Sequence, residues 1–254
     1  MERFRTSDGI SIAFHRWGAA TAGLPPVVLH HGFIVDALTN FQSPGVVAAL
    51  LAAGREVIAP DARGHGASGK PHDTAAYGEQ RMARDLTQLL DHLRIRELDL
   101  VGYSMGGVVA AIFAAQDRRV RRLVLSGVGA GLAELGGLDT RALPPPEVAA
   151  VLLTESRTAI ESSPAAGFRQ LADALGADRL ALTAQVHAAN RTPIALHAIT
   201  APTLVLVGAD DPLAVRPQDL AAAIPGARWR VVSGDHLTTL RSPAYMPALL
   251  DFLS

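Results

Sequence analysis

Six short runs rich in Val, Leu and Ile punctuate the chain: PVVLHH (26–31), EVIAP (56–60), LDLVGY (98–103), RRLVLSGV (121–128), PTLVLVG (202–208) and RWRVV (228–232). Most are too short for a helix and too continuously apolar for a strand with one wet face. They suit strands buried on both sides, as in a parallel sheet covered by helices. Helical patterns fill the gaps. In 77–93, Met82, Leu86, Leu89, Leu90 and Leu93 recur at spacings of three and four and form one apolar stripe. Strand and helix in alternation predict right-handed crossovers and a ligand site at the carboxyl ends of the strands. The start differs. RFRT, a Ser7-Asp8-Gly9 turn and the alternating ISIAFHRW read as an antiparallel hairpin. The expected fold class is α/β, a mostly parallel, doubly wound sheet of about eight strands.

Residues 133–200 break the rhythm. The segment is helical in pattern, opens with Pro144-Pro145-Pro146 and contains no strand-like run. Such an insertion, leaving and re-entering at the carboxyl ends of two strands, is expected to form a helical cap over a core made of 1–132 and 201–254. At 254 residues the chain is long enough to bury one large core.

Composition removes several classes of function. With a formal net charge of −1, no electrostatic case points to nucleic acid or to an anionic membrane. There is no cysteine, so disulfides, thiolate metal sites and a cysteine nucleophile are excluded. The opening MERFRTSDGISIAF lacks the apolar core of a signal peptide, and Arg or Asp interrupts every candidate membrane span. The expectation is a cytoplasmic protein acting on a neutral small molecule; the oligomeric state is not legible.

The chemistry concentrates at strand ends. GYSMGG (102–107) follows one strand and opens a helix, the context that gives G-x-S-x-G its meaning. Gly102 and Gly106 remove Cβ atoms from the tight turn, and Gly107 lets the helix pack close to the sheet. No G-x-G-x-x-G or Gly-Lys-Ser phosphate loop is present. A free serine hydroxyl is a poor nucleophile, so it needs a base, and the base needs an orienting acid. GADDP supplies Asp210 and Asp211 after one later strand, and GDHL supplies Asp235 and His236 after another.

Taken in order, HHGF, DARGHGASG, GYSMGG, GADDP and GDHL followed by SP resemble an α/β-hydrolase along essentially the whole chain. The family's order of nucleophile, acid and histidine falls on Ser104, Asp211 and His236. The resemblance selects Asp211 because the acid is the fourth residue of G-x-x-D, often before Pro. Asp210 is then a solvated or turn-capping acid. The same resemblance assigns the backbone N–H groups of Phe33 and Met105 to an oxyanion hole. It gives Asp61 and Arg63 an architectural role in pinning the DARGHGASG loop, with no chemistry for His65 or Ser68. His31 is expected to position the oxyanion loop, and His30 to be a buried, hydrogen-bonded core residue rather than a metal ligand. Asp235 stands where the family often has glycine, so its carboxylate is expected either to alter how the loop is held or to raise the imidazole pKa.

The implied function is a serine hydrolase, a carboxylesterase acting on small esters through an acyl-enzyme, with no cofactor and no metal. A lactonase or a carbon–carbon bond hydrolase is the alternative within the fold. A non-catalytic ligand receptor or scaffold is the alternative of another class. Serine at 104 disfavours dehalogenase and epoxide hydrolase chemistry, which use aspartate there. Lys70, the only lysine, does not neighbour His236 as in hydroxynitrile lyases. Cap arginines 157, 169 and 191 are either solvated or able to hold a substrate carboxylate. Phe168 is the main aromatic residue of the cap.

Overall fold

The computed structural model describes residues 1–19, 21 and 23–254. Strands β1 (Glu2–Arg5) and β2 (Ser11–Trp17) pair antiparallel, with Glu2 opposite Phe14. Their turn is closed by Thr6 N–H donating to Ile10 O and Gly9 N–H donating to Thr6 O. The later strands are β3 (Val27–His30), β4 (Val57–Pro60), β5 (Leu98–Tyr103), β6 (Val120–Ser126), β7 (Thr203–Gly208) and β8 (Arg228–Val232). Among the described residues they form one sheet of eight strands in the order β1-β2-β4-β3-β5-β6-β7-β8. The pairs made by β2 are antiparallel and the rest are parallel. The sheet is open and mostly parallel, as the apolar runs predict.

Period-2 alternation divides its side chains between two apolar layers. Val28, Ile58, Leu100, Leu125 and Val205 face helices α2 (Glu79–His92) and α3 (Met105–Gln116). Val27, Leu29, Val57, Val101 and Leu206 face α1 (Val46–Ala52) and the last helix (Tyr245–Leu253). Helix α2 buries Met82, Leu86, Leu89 and Leu90, the stripe read from the sequence. Helix α3 is buried almost all round, so it packs against neighbours on every side.

Between β6 and β7 the described chain is helical: α4 (Ala130–Leu135), α5 (Pro145–Leu153), α6 (Arg157–Ser162), α7 (Ala166–Ala174) and α8 (Arg179–Ala188). The helical run begins at Ala130, ahead of residue 133, because β6 ends at Ser126 and Gly129 sits at the N-cap of α4. Pro145 starts α5, where its missing N–H costs nothing. These helices hold a third apolar cluster, including Val148, Leu152, Ala172, Leu182 and Val186, into which Ile34 of the β3–α1 loop inserts. After β7 come α9 (Pro217–Ala222), β8 and α10 (Tyr245–Leu253). No helix among the described residues is long and apolar enough to cross a membrane.

Candidate active site

Ser104 lies in the turn from β5 into α3 with φ +55° and ψ −118°. That conformation is disfavoured for a residue with a side chain and costs on the order of 1–3 kcal/mol, which the surroundings must impose. Ser104 N–H donates to Ser126 O on β6 (2.8 Å), and Ser104 O accepts from the N–H groups of Gly107 and Val108. The neighbouring glycines are sterically required. A Cβ on Gly102 would lie 2.2 Å from Gly106 O, and one on Gly106 would lie 1.9 Å from His30 O. The turn thus presses β5, α3 and the end of β3 together as only glycine permits.

His236, in the loop after β8, meets Ser104 directly. Its Nε2 is 2.9 Å from Ser104 Oγ, and its Nδ1 is 2.8 and 2.9 Å from the two carboxylate oxygens of Asp211. An ionised carboxylate only accepts, so Nδ1 carries the hydrogen and Nε2 presents its lone pair to the serine hydroxyl. Asp211 is buried and also accepts from Leu213 N–H (2.9 Å). Tyr103 O–H donates to the carbonyl of His236 (2.6 Å), fixing the histidine loop from the strand that carries the serine. Asp210 is exposed and its backbone N–H donates to Gly234 O, which leaves Asp211 as the acid of this chain of contacts.

Asp235 is accounted for by its own loop. Its carboxylate accepts from Leu237 N–H, Thr238 N–H and the Thr238 hydroxyl, and the Thr238 bond foremost holds its pKa below the ordinary value. The acid therefore braces the turn that carries His236.

The loop after β3 is clamped from two sides. Ala62 N–H donates to His31 Nε2 (2.8 Å), so the other ring nitrogen carries the hydrogen and donates to Gly32 O (2.7 Å). Gly32 N–H donates to Asn40 Oδ1 (2.7 Å). The next N–H, that of Phe33, and the N–H of Met105 at the first position of α3 make no hydrogen bond among the described residues. Two N–H groups beside a serine, one at a helix N-terminus, suit a developing oxyanion.

The DARGHGASG loop behaves as the architectural reading expects. Asp61 accepts from Ala37 N–H and Ala67 N–H, and buried Arg63 pairs with Asp85 (2.7 Å) and Asp8 (2.9 Å). Ser68 donates to Asp61 O, and His65 packs edge-on against His31 and Phe33. His30 corrects one expectation. It is buried, but its Nδ1 has no hydrogen-bond partner among the described residues, and burial drives its pKa down to about 3. At the end of β3 its ring is stacked on His31, and the carboxylates nearby, Asp61 and Asp85, are engaged with Ala37, Ala67 and Arg63.

A cavity of about 90 Å³ opens beside the serine turn. Phe33, Met105 and Leu213 line its inner side, and Leu143, Val148 and Phe168 contribute from the helices between β6 and β7. Of the three arginines flagged in that segment, Arg157 is exposed and pairs with Glu161, and Arg169 is buried and held by Asp173 and by carbonyls. Arg191 lies on the cavity wall with no ion-pair partner among the described residues. Asn40, Tyr103 and Ser126 escape the sequence reading, since each acts through a contact between distant segments that no local motif encodes.

Residues 25–186 match the profile of the alpha/beta hydrolase fold. The chain belongs to that family. A crystal structure of a hydrolase from Pseudomonas aeruginosa PA01 is 30% identical, with a TM-score of 0.79 over 100% of this chain and 98% of that one. The enol-lactonase from Burkholderia xenovorans LB400 shares the α/β-hydrolase fold at 23% identity and TM-score 0.80, over 99% of both chains. The 2-hydroxy-6-oxo-2,4-heptadienoate hydrolase of Pseudomonas putida is 39% identical over 141 residues, 54% of this chain and 48% of that protein. This α/β-hydrolase therefore spans about half the length of that relative.

Proposed function

We propose that this α/β-hydrolase is a serine hydrolase, a carboxylesterase of small neutral esters. The observation that carries the reading is the unbroken chain Asp211–His236–Ser104 at hydrogen-bond distances. His236 Nε2 takes the hydroxyl proton as Ser104 Oγ bonds to the ester carbonyl carbon, and the backbone N–H groups of Phe33 and Met105 receive the oxyanion. Collapse of the intermediate breaks the bond to the alkoxide, which leaves with the proton from His236. Water then attacks the acyl-enzyme by the same path reversed, restoring Ser104. Asp211 holds the imidazole tautomer throughout. These steps need no metal or cofactor.

In the same reading, 1–132 and 201–254 are the catalytic core and 133–200 is a cap whose side chains select the substrate. The fit to a hydrolase is supported by the family membership and by the names of its relatives. One observation favours a second reading. Arg191 on the cavity wall suits a substrate carboxylate, as hydrolysis of an oxo-dienoate like that named for the Pseudomonas putida relative would require.

The test is turnover of p-nitrophenyl esters of rising chain length beside lactones and a dioxo acid. Saturable ester hydrolysis abolished by a serine-reactive phosphonate is the expected result. A dioxo acid as the sole substrate moves the assignment to the second reading. No labelling by the phosphonate removes the hydrolase and leaves a ligand receptor.

A further inference from the structure

The wall of the cavity beside the serine turn also holds a carboxylate that the catalytic steps do not use. Glu79, in the first turn of α2, is buried, with 5% of its surface exposed, and lines the cavity together with Gln185, Asn190 and Arg191. Its partners are neutral: Gln185 Nε2 donates to one oxygen (3.1 Å) and Asn190 N–H to the other (2.6 Å). No cation lies within ion-pair distance of it among the described residues. A carboxylate has about four acceptor positions, so these two bonds and a contact with its own backbone N–H still leave capacity unused. The surroundings cannot turn to fill it. Gln185 Oε1 accepts from Gly78 N–H, which fixes the amide, and Asn190 Nδ2 donates to the carbonyls of Gly136 and Thr192. Asn190 Oδ1 is thereby left as a further acceptor without a donor among the described residues.

The rest of the wall is mostly apolar, Leu138, Leu143, Val148, Phe168 and Val186 among it. A plain hydrocarbon chain in this space would bury the carboxylate further and offer it nothing. A chain ending in a donor would satisfy it. Burial already raises the pKa of Glu79 to about 6, so above neutrality the charge is present and lacks a full complement of donors.

We propose that Glu79 is a specificity-determining residue, and that the cavity takes a substrate chain carrying a hydroxyl group that donates to its carboxylate. The inference deepens the esterase reading and rests on it for the position of the scissile bond. It distinguishes this pocket from one shaped for simple alkyl esters, because a buried charged acceptor discriminates strongly against a ligand that cannot bond to it.

Calorimetric binding to the Ser104→Ala protein, above neutral pH, tests it without turnover. The ligands are methyl ω-hydroxyhexanoate and methyl heptanoate, which differ only by hydroxyl against methyl at the chain end. The hydroxy ester is expected to bind about tenfold or more tightly, the margin of a hydrogen bond to a charged group. Adding Glu79→Gln, which keeps shape and one acceptor oxygen but removes the charge, should shrink the ratio severalfold, and Glu79→Met should abolish it. Because the readout is a ratio within each variant, a merely structural tether between α2 and α8 would weaken both ligands together and leave the ratio intact. Equal binding of the two esters in the presence of Glu79, or a preference that survives both substitutions, overturns the proposal. A preference for the hydroxy ester in a protein whose Ser104 form hydrolyses neither compound would sustain the donor site and overturn the esterase reading instead.

Discussion

His236 Nε2 stands 2.9 Å from Ser104 Oγ while the same ring is held on its other side by both oxygens of Asp211. The three side chains come from the ends of β5, β7 and β8, so a sheet register error of one residue would separate them. Ser104→Ala is expected to lower kcat on p-nitrophenyl acetate by on the order of a million-fold, and Asp211→Asn by about ten-thousand-fold. Asn at 211 keeps the shape but permits the wrong tautomer. Near-normal turnover by Ser104→Ala would remove the nucleophile assignment, and a greater loss in Asp210→Asn than in Asp211→Asn would transfer the role of the acid.

The strained turn makes a second outcome specific. A Cβ at Gly106 would lie 1.9 Å from His30 O and 2.5 Å from its carbonyl carbon, both backbone atoms that cannot rotate away. Gly106→Ala is expected to cost about 3 kcal/mol of stability, near the top of what overpacking usually brings, and to lower activity with it. Gly167 in α7 has open space around its Cβ position and is exposed. Gly167→Ala should be neutral or stabilising by up to about 1 kcal/mol. Urea denaturation of the two variants, side by side, separates a steric requirement from a general intolerance of alanine.

The sequence carries much of this because its information is local where the fold is regular. β5 occupies the very residues of its apolar run and is buried throughout, since a parallel strand covered on both faces leaves a continuous signature, whereas β8 matches its run but, as the edge strand, exposes four of its five residues. The proposed triad is legible for a related reason: each member lies in the loop after a strand, and the fold brings strand ends together. Asn40, Tyr103 and Glu79 are not legible. Tyr103 reaches His236 across 133 positions and Glu79 reaches Asn190 across 111, so their roles exist only once helices and loops have packed. The orphaned Nδ1 of His30 is hidden for the same reason, because a sequence shows that a histidine is buried but not what it faces.

At the other end of β5, Asp99 is buried and accepts from Arg55 and, at 2.6 and 2.8 Å, from Arg121. Arg55 is itself buried and ties the cluster to the carbonyls of Pro25 and Leu253. Removing the acid alone leaves an uncompensated guanidinium, which typically costs 3–5 kcal/mol, roughly. Asp99→Ala should therefore lose about that much stability in chemical denaturation. The cluster sits roughly 17 Å from Ser104 along the strand, at about 3.3 Å per residue, so the fraction that remains folded should keep its kcat. A fall in kcat at full folding would show that the cluster also sets the serine turn.

Acid sensitivity follows from the histidines packed beneath the loop after β3. His30 and His65 are buried and their pKa values are pushed down to about 3, first by burial and then by the neighbouring His31. Unfolded, each would titrate near 6.5, so between that pH and about 3 the unfolded chain binds more protons than the folded one. The stability contributed by the neutral rings is complete above pH 6.5 and is lost as the pH falls, at about 1.4 kcal/mol per histidine for each pH unit. Denaturation free energies measured from pH 7 downward should decline accordingly. His30→Leu, which removes one of these titrations, should reduce the slope by about 1.4 kcal/mol per pH unit and shift the acid midpoint to lower pH. An unchanged slope would mean that His30 binds protons as readily in the folded protein as in the unfolded chain, which would overturn its burial as the cause.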